Sequence, residues 1–106
     1  MSMTVIVTRN VSDRIRGFLA SVMLELAAGV YSAPRLSPPV RERTWTVLSE
    51  WFFAEHDASI VMVWQDPQMP GGQNVAVLGI PPMDLVDLDG IILTRRRVSE
   101  QNDGAK

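Results

Sequence analysis

With 106 residues, no cysteine and a formal net charge of −2, the chain has room for one domain of modest core and for neither a disulfide framework nor a thiolate metal site. No stretch approaches the roughly 20 apolar residues that cross a bilayer, and the apolar start lacks a basic n-region or a cleavage site, so a reducing cytoplasm is the expected home. The small net charge hides an asymmetry: residues 1–45 carry six arginines (9, 14, 16, 35, 41 and 43) against three acids, whereas residues 46–94 carry seven acids and no Lys or Arg. Clustered arginine is an electrostatic footprint suited to phosphate, although it is also an ordinary solubilising choice.

In chain order, Met3 to Thr8 sets Val5 and Val7 against Thr4, Ile6 and Thr8, the β-branched alternation of a central strand. A helix follows, with Ser12 as its expected cap, Asp13 in its first turn, and a stripe of Ile15, Phe18, Leu19, Val22, Met23 and Leu26 at helical spacing. Arg14 and Arg16 flank that stripe near the helix start, a candidate phosphate site. Gly29 is the expected helix end, Val30 to Ser32 a short strand, and residues 33–39 a turn. Ser37 before Pro38 starts a second helix, expected to reach about Glu55. Val40, Thr44, Val47, Leu48, Trp51 and Phe52 form its inward face, with Arg41 and Arg43 outward. Trp45, Trp51 and Phe52 read as core aromatics before they read as a base-stacking platform.

Two nearly continuous apolar runs, residues 59–65 (SIVMVWQ) and 75–80 (VAVLGI), are joined by the hairpin loop DPQMPGG and read as strands covered on both faces. Two helices cover one face, so the other calls for the same sheet of a second copy. Residues 91–94 are a last short strand, and residues 95–106 a polar tail. The expected architecture is therefore a single α+β domain over residues 1–94, an antiparallel sheet with two helices on one face, compatible with a ferredoxin-like fold.

The run MTVIVTRNVSDRIRGFLASVMLELAAGVY, with Arg14, Arg16, Gly17, Leu19, Ala20, Leu24, Glu25 and Gly29-Val30-Tyr31, resembles the start of the CRISPR-associated Cas-two protein in its type I-E form. Further matches follow at Arg41, Trp45, Val61-Met62, Trp64 and the VDLDG of residues 86–90. The resemblance implies a ferredoxin-like homodimer packed sheet to sheet. Such a dimer bridges two dimers of the Cas-one integrase and holds double-stranded protospacer DNA for spacer acquisition. It places Arg14 and Arg16 at positions that contact the DNA backbone, and Arg9 is expected to add a contact on charge alone. Close relatives carry a basic pair where this chain has Pro81, Pro82, Met83 and Asp84, so part of that DNA track is replaced or lost.

A catalytic constellation is harder to find. Many members of the resembled family place an acid just after the first strand, to which a metal-dependent nuclease activity is attributed. Here that stretch is Thr8-Arg9-Asn10, and an arginine does not ligate Mg²⁺, which takes oxygen ligands. Asp13 reads as a helix-dipole partner before a metal ligand. Asp84, Asp87 and Asp89 lack the spacing and the glutamate of a calcium loop, and read as a solvated turn. His56, the only histidine, sits at a helix end beside Asp57, and no serine has a recognisable histidine partner. The expectation is a non-catalytic scaffold without cofactor or metal; the alternative is a Mg²⁺-dependent endonuclease on RNA or duplex DNA, and a ligand-sensing ferredoxin-like regulator is more distant.

The partner contact is expected at residues 86–94, through Val86, Asp87, Leu88, Asp89, Ile91, Ile92 and Leu93. A late apolar strand offers an unpaired edge to the integrase, and the acids select a basic partner. Alternatively, this strand completes its own dimer as a swapped edge.

Overall fold

A computed structural model describes residues 2–81 and 83–96. Its elements run β1 (Ser2–Arg9), α1 (Asp13–Val22), β2 (Leu24–Ala27), β3 (Val30–Leu36), α2 (Pro38–Trp51) with a 3₁₀ turn at Phe52–Ala54, β4 (Ser59–Gln65), β5 (Gln73–Gly79), β6 (Met83–Leu88) and β7 (Ile91–Arg96). Five strands form one antiparallel sheet in the order β2-β3-β1-β4-β5, and β6 and β7 form a second sheet of two. The run β2-β3-β1-β4 with its two helical crossovers is compatible with a ferredoxin-like fold, as the α+β reading anticipated, and β5 extends it by a hairpin. Among the described residues, no helix is long and apolar enough to cross a membrane.

The alternation of β1 decides where the helices sit. Thr4 and Ile6 are buried and join Tyr31, Ala33, Ile60 and Met62 of the neighbouring strands with Ile15 and Leu19 of α1 and Leu48 of α2 in one core. Both helices therefore cover the same face. Trp45, Trp51 and Phe52 pack partly buried against that core, as expected of core aromatics. On the opposite face the register lines up valines in two rows, Val5-Val63-Val75 and Val7-Val61-Val77, across β1, β4 and β5. The side chains of Val7 and Val77 are exposed, and the other four are half-buried.

Several expectations are corrected. The first helix stops at Val22 instead of carrying its stripe to Leu26; Leu24 and Leu26 lie 65% and 59% exposed in β2. Pairing of Leu24 and Glu25 with Ser32 and Tyr31 overrides helical spacing, a tertiary preference that no local window contains. Gly29 consequently ends no helix. It turns β2 into β3 with φ of 81°, and its carbonyl accepts from both the backbone N–H and the hydroxyl of Thr8 (2.7 and 3.1 Å). Residues 33–36, expected in a turn, continue β3, because the β1 register shifts opposite them and leaves Pro34 where its missing N–H is tolerated.

A further correction concerns caps. Ser37 caps α2 as expected, accepting from the Val40 N–H at 3.4 Å, but Ser12 does not cap α1 with its side chain. Its hydroxyl and its backbone N–H both donate to the carboxylate of Glu55, each at 2.8 Å. Finally, residues 83–88 are no solvated turn but a strand. Asp89 and Gly90 turn it with φ of 55° and 86°, the two positive values of a tight primed hairpin turn. The last strand extends through Arg96, two residues beyond its expected end. Pro82 and residues 97–106, including Arg97 and the rest of the expected tail, lie outside the described residues, as do the side chains of Met83, Asp84 and Arg96.

Gly79 closes β5 with φ of 76°, and a Cβ there would lie 2.2 Å from the Ala58 carbonyl oxygen. Gly79→Ala is expected to lower stability by about 2 kcal/mol from backbone strain and crowding together, read as a fall in Tm on the order of 10 °C in a small domain.

Candidate nucleic-acid interface

The β1–α1 segment brings three arginines within eight residues, but their side chains diverge. Successive helical residues turn by about 100°, so Arg14 and Arg16 leave α1 on opposite sides of the fully buried Ile15. Arg14 goes toward α2, where its guanidinium lies 3.9 Å from the centre of the Trp51 ring. Trp51 in turn meets Phe18 edge to face at 5.4 Å. One face of Trp51 is thus already covered by a cation, which orders Arg14 while its N–H groups remain free to meet an anion.

Arg16 goes the other way, toward β2. Its guanidinium is 3.9 Å from Asp13 on α1 and 3.9 Å from Glu25 on β2, at the long limit of an ion pair. It also lines a cleft of about 320 Å³ with Thr8, Asn10, Val11, Ala28 and Gly29. Tyr31, opposite Glu25 in the β2–β3 ladder, has a hydroxyl that is buried and makes no hydrogen bond of good geometry. Burial pushes its pKa above the ordinary 10.0; Arg16 beside it pulls the value back, and Glu25 adds to the rise.

Arg9, at the end of β1, donates to the Ile80 carbonyl at 3.3 Å and so points toward the end of β5. Asn10 follows with φ of 60° and ties the loop to the connection that leads into β4, its amide donating to the carbonyls of His56 and Asp57 at 3.3 and 3.0 Å. His56 therefore enters the structure through its backbone, with its side chain exposed. Among the described residues, no three of His, Cys, Asp and Glu gather as a metal site would require.

The structure adds residues that sequence reasoning passed over. Glu55 places a carboxylate on the Ser12 N–H at the start of α1, where the candidate phosphate site was expected, so an anion meeting this segment must use the arginine side chains flanking it. Arg41, expected outward, is half-buried with its guanidinium 4.5 Å from the centre of the Trp64 ring. No local signal connects Ser12 with Glu55, 43 residues away, and the stacking of Arg41 on Trp64 depends on how α2 crosses β4.

The candidate partner residues gather on the β6–β7 hairpin. Leu88 pairs with Ile91 and Val86 with Leu93, which puts these four on one face, with Leu88, Ile91 and Leu93 exposed by 53%, 46% and 46%. Asp87 and Ile92 pair on the other face, and Asp87 accepts from the Gly90 N–H at 2.7 Å, which steadies the turn. The hairpin meets the β4–β5 loop at its tip, where the Gly71 N–H donates to the Gly90 carbonyl at 3.1 Å and Pro70 packs so closely that Gly90 has no room for a Cβ.

Compared with known families, residues 3–93 match a family model described as CRISPR-associated protein (Cas_Cas2CT1978).

Proposed function

The chain belongs to this CRISPR-associated, Cas-two-like family, and from that membership we propose that it is a non-catalytic scaffold of spacer acquisition, of the type I-E form that the sequence resembles. A homodimer bridges two dimers of the Cas-one integrase and holds protospacer duplex by its phosphate backbone. The observation that carries this reading is the separation of surfaces on one small chain. A two-row valine face lies on the open side of the main sheet, an apolar hairpin face lies on β6–β7, and β1 and α1 send out Arg9, Arg14 and Arg16 in three directions. A scaffold needs such independent surfaces for its own copy, for its partner and for DNA.

Arginine side chains without any base-reading element suit a protein that must accept DNA of any sequence, because phosphate contacts position and do not specify. Arg14 and Arg16 carry this role, with Arg9 as a further contact. Arg14→Ala with Arg16→Ala is expected to weaken duplex binding of the assembled complex about equally for all sequences, and to flatten the salt dependence by roughly one unit of slope per lost contact. An unchanged slope in the double variant places the DNA elsewhere.

A further inference from the structure

Arg16 stands 3.9 Å from two carboxylates, Asp13 on its own helix and Glu25 on β2, and Glu25 cannot keep its contact in the same way once a phosphate binds, if the reading above holds. We infer that Glu25 is an intramolecular competitor for Arg16, holding the guanidinium in the free protein and releasing it to a phosphate of bound nucleic acid, whereupon the buried Tyr31 hydroxyl takes the carboxylate. The inference rests on the proposed role of Arg16, and it adds a regulatory contact to that site.

Three observations place the exchange. The Arg16–Glu25 pair is long, 3.9 Å, with side chains 48% and 34% exposed, so it is weak and easily broken by a better ligand. A phosphate offers the guanidinium fork two oxygens at hydrogen-bond distance, a stronger arrangement than this contact. Second, Glu25 is not free to swing away, because its Oε2 also accepts from the Gly29 N–H at 3.2 Å, and it therefore stays beside the site after losing Arg16. A carboxylate left facing a phosphate would repel it. Third, the Tyr31 hydroxyl is buried and makes no hydrogen bond of good geometry, and Tyr31 stands directly opposite Glu25 in the β2–β3 ladder, so the carboxylate has this donor as a cross-strand neighbour. A donor in that position is costly while unpaired. Donating to the displaced carboxylate satisfies the hydroxyl and turns negative charge inward from the DNA.

The test uses the full chain and a mixed-sequence DNA duplex, with binding measured for wild type, Glu25→Gln, Arg16→Ala and the double variant. Glutamine keeps an acceptor for the Gly29 N–H and the Tyr31 hydroxyl and removes only the charge. Glu25→Gln is expected to tighten binding by about two- to fivefold, the range of an exposed ion pair, and to do so only where Arg16 is present. Glu42→Gln, which removes an exposed acid on α2, sets the gain due to net charge alone, and Glu25→Gln must exceed it. If Arg16→Ala weakens binding but Glu25→Gln gives the same gain with and without Arg16, the competition is wrong although the DNA contact stands. If Arg16→Ala leaves binding unchanged, the DNA contact itself fails, and this inference with it. Tyr31→Phe is expected to keep or raise Tm and to weaken duplex binding by about twofold, the order of one modest hydrogen bond; unchanged affinity in a folded Tyr31→Phe protein overturns the part given to the hydroxyl.

Discussion

If the wild-type chain sediments as the proposed dimer at micromolar concentration, Val63→Asp is expected to leave a folded monomer of 11.8 kDa. Val63 sits in the middle of a row, between Val5 and Val75, on the face of the sheet opposite the helices. If two copies pack these faces together, each carboxylate at position 63 enters an apolar contact in the middle of that row. Burying an unpaired charge in this way costs several kcal/mol, about 3 at the least, which weakens association more than about a hundredfold. The fold itself tolerates the change, because in the single chain Val63 is only half-buried, so its Tm moves little. Met62, the preceding residue, faces the core and is 2% exposed; Met62→Asp is the contrasting variant and is expected to lose the fold. A Val63→Asp protein that still sediments as a dimer removes the valine face from the interface.

Deleting everything after Pro81 is expected to abolish co-purification with the integrase while leaving the dimer intact. The cut removes β6 and β7 together, which matters because they pair only with each other as a two-stranded sheet, and the five-stranded sheet keeps every one of its own ladders. Apart from its tip on the β4–β5 loop and the contact of β7 with β5, the hairpin lies outside the main core, and Leu88, Ile91 and Leu93 of its apolar face are exposed to a partner. Leu88→Asp with Leu93→Asp gives a finer version, sparing the Asp87–Gly90 turn contact and altering only the face. Retained co-purification after truncation ends the docking role. Loss of the dimer on truncation, with the full-length chain dimeric, means instead that the hairpin completes the dimer across the two-fold.

The legible parts of the chain are those whose signal is local. The alternation of β1, the Ser37-Pro38 start of α2 and the two apolar runs around DPQMPGG each state their conformation within a few residues, and each stands in the structure. The Asp89-Gly90 pair carried an equally local hairpin signal. The acids around it read as a solvated turn over residues 84–90, whereas pairing of residues 83–88 with residues 91–96 makes a strand of all but the Asp89-Gly90 turn itself.

For the candidate site, the sequence by itself determined which side chains carry charge and that Arg14 and Arg16 must straddle a buried stripe, since helical geometry follows from their spacing around Ile15. It also determined that one sheet face would be apolar and lack helical cover, because two helices cannot cover both sides of strands such as β4. Only the tertiary structure decided what each arginine touches: Trp51 for Arg14, Glu25 for Arg16, the Ile80 carbonyl for Arg9 and Trp64 for Arg41. It alone decided that residues 24–27 leave the helix for an edge strand and that Glu55 reaches Ser12. The physical reason is common to these cases. Periodicity and caps are properties of neighbouring residues, whereas a cation's partner and an edge strand's ladder are set by segments far apart in sequence that meet only after the core around Ile6, Leu19 and Leu48 has closed.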